Sequence, residues 1–174
     1  MSFDIFFQPC RFGSQPIRKT NPFTGETQSV LPNEPLSPAE LAAVRRVLDT
    51  AAVQQADDAG HCVVRAGDGG EAEVFCGNLA GGCMVALRGI TPGLLQLLLD
   101  LLKAGNWSMV PAMEDAVAIV PSPQAVQSVP DDFPPTVVCD SAEDLGRLLS
   151  EGFTAWKKYR DQVVGGEEPA RDEE

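Results

Sequence analysis

The side chains able to carry chemistry are few: one histidine, His61, five cysteines at positions 10, 62, 76, 83 and 139, and adjacent acids at Glu114-Asp115 and Asp131-Asp132. A structural zinc site takes four donors, usually delivered partly as close pairs. Here Cys62, Cys76 and Cys83 are separated by 14 and 7 positions. Hairpin geometry could bring Cys62 near Cys76, but small buried side chains account better for the pattern, and no metal ligand is assigned. A Cys–His pair needs the imidazole within about 3 Å of the thiol. His61 and Cys62 are neighbours on an expected strand, so their side chains point to opposite faces. There is no Gly-x-Ser-x-Gly elbow, which argues against a serine triad. Gly67-Asp68-Gly69-Gly70 and Gly81-Gly82 precede no Gly-Lys-Ser/Thr and open no helix, so they read as turns rather than phosphate loops. No catalytic residue and no cofactor are assigned, and an enzyme is the less favoured reading.

A recognition segment is the better candidate. Asn106, Trp107 and Met109, followed by Met113, Glu114 and Asp115, place an aromatic ring, two thioethers and two acids around one strand connection. Aromatic residues and methionine favour binding surfaces. Phe23, in the turn-like run Asn21 to Glu26, is the second aromatic candidate. Two alternatives use parts of the same set. One is a hydrolase or transferase whose acid and base are drawn from Glu114, Asp115 and Asp140, if their environments separate their pKa values. The other is a small-ligand or metal sensor built around Phe23 and Trp107.

These residues must be held by a fold that the pattern outlines. Phe3, Ile5 and Phe7 alternate as in a strand, and Phe6 makes the second face partly apolar, as in a central strand. Cys10 to Ser37 lacks periodicity and forms a long N-terminal loop. Ser37-Pro38-Ala39-Glu40 combines an N-cap, proline at the first helical position and a capping-box glutamate. The helix it starts is expected to end near Gln55. Three strand-like runs follow at 61–66, 71–76 and 83–88, joined by glycine turns into an antiparallel meander. Thr91-Pro92 opens a helix that Gly105 closes. Leucines surround most of its circumference, so it must be covered on two sides. Cover from within the chain is favoured, with a homodimer through the Leu94–Leu102 helix as the second way to supply it. A strand pair at 107–110 and 116–120, a helical turn at Ser122, a strand at 136–139 and a last helix capped by Asp140 or Ser141 complete the series.

Grouped strands predict an α+β fold: a mainly antiparallel sheet with about three helices packed on one face. One domain over 1–164 and a disordered acidic tail over 165–174 are expected. The 174 residues carry a formal charge of −12, of which the tail supplies −4. That field repels phosphate backbones and disfavours nucleic acid. No apolar run approaches the roughly 18 residues of a bilayer span, and the first residues lack a basic, cleavable leader pattern. A cytoplasmic protein with unpaired cysteines is therefore expected. With no reactive centre in view, the favoured function is protein binding. One concrete form is an acidic immunity-type protein that neutralises a basic toxin, drawn to it by electrostatic steering.

Overall fold

The computed structural model describes residues 2–20, 24–113, 116–130 and 133–165. It has the expected α+β class: one large, mostly antiparallel sheet with its long helices packed on one face. The sheet has eight strands. They are β1 (Phe3–Pro9), β4 (Ala52–Gln54), β5 (His61–Arg65), β6 (Glu71–Phe75), β7 (Cys83–Leu87), β8 (Trp107–Pro111), β9 (Ala118–Val120) and β10 (Thr136–Val138). Their spatial order is β10-β9-β8-β1-β7-β6-β5-β4. Only the β9–β10 pair is parallel. β1 lies in the middle, hydrogen-bonded to β7 on one side and to β8 on the other.

The long loop is corrected by the structure. It contains a two-stranded hairpin, β2 (Ile17–Thr20) with β3 (Thr27–Val30), in a sheet of its own. Its residues are almost all exposed, so no buried alternation marks it in the sequence. The rest of the connection is tied down by backbone bonds such as Leu36 N–H to Ala80 O at 2.8 Å.

Helix α1 (Pro38–Ala51) starts at a complete capping box, with Ser37 Oγ accepting from Glu40 N–H and Glu40 accepting from Ser37 N–H. Its expected end is also corrected. Ala52 is already extended, and the chain passes directly into β4. Helix α2 (Pro92–Ala104) is capped by Thr91 and packs against both α1 and α4 (Ala142–Gly165) as well as β8. Six of its leucines are buried, so these side chains are covered within the chain. Helix α4 is capped by Ser141, whose hydroxyl accepts from Asp144 N–H at 3.1 Å. It runs to Gly165, slightly past the expected domain limit. The acidic tail from 166 onward lies outside the described residues, as does the Trp156 side chain. The single-turn helix α3 (Pro123–Val126) sits beside β9 and β10.

The core follows from strand parity. Phe3, Ile5 and Phe7 of β1, Val85 of β7, Met109 of β8 and Val74 of β6 point toward the helices and are at most 2% exposed. They meet Val44 of α1, the leucines of α2, and Leu145 and Leu149 of α4. Burying side chains of this size contributes about 1.5–3 kcal/mol each. A separate small cluster, Cys10 with Val120 and Ala125, forms where α3 meets β9. Among the described residues no long helix packs on the opposite face of the sheet. Among the described residues no helix is long and apolar enough to cross a membrane.

Candidate functional site

Among the described residues, those singled out around Trp107 do not gather into a surface. Trp107 and Met109 lie on the helix-facing side of β8 and are 0% exposed. The indole packs at 5.5 Å from the Phe7 ring, and a Cβ on Gly105 would come within 2.7 Å of it. Both side chains hold the core, which corrects their reading as recognition residues. Asn106 takes a left-handed backbone (φ 44°) in the turn from α2 to β8, and its carbonyl accepts from Cys10 N–H at 3.3 Å. Met113 is 40% exposed, with its sulfur against Gly152 of α4. Phe23, Glu114 and Asp115 lie outside the described residues. Asp140 is exposed, and its carbonyl oxygen accepts from Lys103 Nζ at 2.7 Å.

The open face of the sheet makes a different surface. Register aligns one side chain from each of five strands in a row. His61 pairs with Phe75, Phe75 with Met84, Met84 with Phe6, and Phe6 with Val110. All five point away from the helices. Phe6 is 48% exposed and Phe75 38%, while His61, Met84 and Val110 are half-buried between them. The His61 and Phe75 rings lie 4.8 Å apart. These cross-strand neighbours form one continuous apolar strip.

A polar border runs beside it. In the next row Glu73 pairs with Val63 and Ala86, and Ala86 with Asp4. Glu73 accepts from Arg88 at 2.7 Å and lies 3.6 Å from His61 Nε2. Its carboxyl sits below the usual range, chiefly through the Arg88 hydrogen bond. Arg65 Nε donates to Glu71 at 2.7 Å. A shallow depression of about 290 Å³ lies between Val63, Glu71, Glu73, Ala86 and Arg88.

His61 has acids near both nitrogens, since Asp57 is 4.0 Å from Nδ1. Its neighbour Cys62 is buried on the other face, which agrees with strand alternation. No group of three or more His, Cys, Asp or Glu is placed to hold a metal ion among the described residues. The arrangement can bind an apolar surface and pair with charges at its rim. Sequence reasoning missed this strip because outward apolar residues on five strands gain meaning only once register is known. The available signal was Phe6, an aromatic on the polar side of β1. Compared with models of protein families, with curated proteins and with solved structures, this chain matches none.

Proposed function

We propose that this chain is a non-catalytic binding protein that takes a protein partner on the open face of its sheet. The observation that carries this reading is the strip from His61 to Val110, with Phe6 and Phe75 exposed at its centre. Contiguous apolar surface rimmed by polar groups marks interaction sites. Aromatic anchors of this kind supply much of the energy of an interface. The rim acids Glu71 and Glu73 are paired with Arg65 and Arg88, but the whole chain carries −12, which favours a basic partner by speeding encounter. Neutralisation of a basic toxin in the cytoplasm is the concrete form of this role.

The test starts with co-purification from the native host at low salt. The recovered partner is then titrated with the wild type and with Phe6→Thr and Phe75→Thr, which retain β propensity. Each variant is expected to bind at least tenfold more weakly, about 1.4 kcal/mol, at an unchanged melting temperature. Association should slow as salt rises. Recovery of no partner, or equal affinity for all three proteins, would overturn the proposal.

A further inference from the structure

Three cysteines lie together on the helix-facing side of the β5–β7 meander, away from the open face. β6 and β7 pair Phe75 with Met84, so the following position sets Cys76 across from Cys83. Cys76 donates its N–H to Gly60 O at 2.9 Å, on the β5 side. Toward β7 it therefore occupies the non-hydrogen-bonded kind of pair, in which facing Cα atoms come to about 4.5 Å. A disulfide spans that separation. Neither cysteine is in a disulfide. Cys62, paired with Val74, is the diagonal neighbour of Cys76.

Access differs between them. Cys83 is 8% exposed, whereas Cys76 is half-buried. Cys76 and Cys62 line a cavity of about 590 Å³ between the end of α1 and the β5–β6 ends of the meander. Its rim residues Arg45, Asp49 and Gln55 are exposed, so it opens to solvent. The hydrogen bond from Cys83 lowers the Cys76 thiol below its ordinary pKa. The same bond, with burial, pushes Cys83 well above it. The difference in access suits Cys76 to attack and the buried Cys83 to resolve.

The geometry points to a thiol–disulfide exchange site, with Cys76 attacking and Cys83 resolving, served by a low-molecular-weight disulfide of the glutathione type entering through the cavity. The Cys76 thiolate attacks one sulfur of the small disulfide. One glutathione leaves as a thiolate and takes up the proton that Cys76 lost. Cys83 then loses its proton and attacks the Cys76 sulfur, and the second glutathione leaves and is protonated. The protein gives up two electrons and two protons, and one small disulfide becomes two thiols. This site is independent of the open face.

The full chain incubated with oxidised glutathione, then alkylated, weighed intact and peptide-mapped without reduction, tests the assignment. Free thiols should fall from the five of the sequence by two, with a Cys76–Cys83 linked peptide and two reduced glutathiones released per chain. Cys83→Ser should stop at a mixed disulfide on Cys76, and Cys76→Ser should block both steps. Retention of all five thiols, a bond between any other pair, or a mixed disulfide that persists in the wild type overturns the proposal. The wild-type map decides the matter even where a variant fails to fold.

Discussion

Arg11 grips Glu40 with both ends of its guanidinium, Nη1 to Oε1 at 2.6 Å and Nη2 to Oε2 at 2.8 Å. The same carboxylate closes the capping box of α1 by accepting from Ser37 N–H at 2.8 Å. One side chain thus starts the helix and fastens the long connection from β1 to it.

This relationship predicts a pH signature. The Arg11 hydrogen bond, with those from Ser37, holds the Glu40 carboxyl at about 2 against an ordinary 4.5, although burial acts the other way. A pKa lowered by folding adds stability that is present above the unfolded value and lost as pH falls through the folded one. Glu40→Gln should therefore cost about 1–2 kcal/mol at neutral pH in urea unfolding. The gap to the wild type should close between pH 4.5 and 2. A gap constant over that interval would rule out the ionised bridge as its source.

Asp68 links the β5–β6 turn to the start of α2. Its carboxylate accepts from Gly93 N–H at 2.8 Å, from the Thr91 hydroxyl at 3.0 Å and from Gly70 N–H at 3.1 Å. The first of these is the main cause of its lowered pKa. Asp68→Ala should lower the melting temperature at neutral pH, and acid should erase the difference, because the protonated carboxyl is a poorer acceptor. Thermal unfolding of both proteins across the acid range reads this directly.

Two glycines with positive φ separate backbone preference from crowding. Gly25 (φ 73°) has open space where a Cβ would stand, whereas a Cβ on Gly82 (φ 132°) would lie 2.2 Å from Phe7 O. Gly25→Ala should cost about 1 kcal/mol. Gly82→Ala should cost about 2–3 kcal/mol or more, because it also pushes β7 from β1. Equal losses in denaturant unfolding would mean that the sheet yields at this point.

The sequence revealed elements where local chemistry names them. The alternation of Phe3, Ile5 and Phe7 marks β1, and the Ser37 and Thr91 caps mark where two helices begin. It concealed features that depend on neighbours. The run Ala51-Ala52-Val53 has neither glycine nor proline, so nothing local shows that α1 gives way to β4. The β2–β3 hairpin is exposed and has one apolar pair, Ile17 with Val30, so it leaves no periodic trace. Trp107 has the composition of a binding residue, and only register sets its ring beneath the sheet. Phe6 carries the opposite lesson. Its apolar side chain suggests a buried second face, but the structure leaves it at the centre of an open one.

The central position of β1 also orders events during synthesis. Its partners span Cys83–Leu87 and Trp107–Pro111, so the first seven-residue strand emerges from the ribosome long before either exists. Phe3, Ile5, Phe6 and Phe7 must wait unpaired through about eighty residues of translation before β7 appears, as distant pairings impose. A nascent chain stopped short of Cys83 therefore offers the apolar β1 segment to chaperones, and release of that hold should coincide with the appearance of β7 and β8.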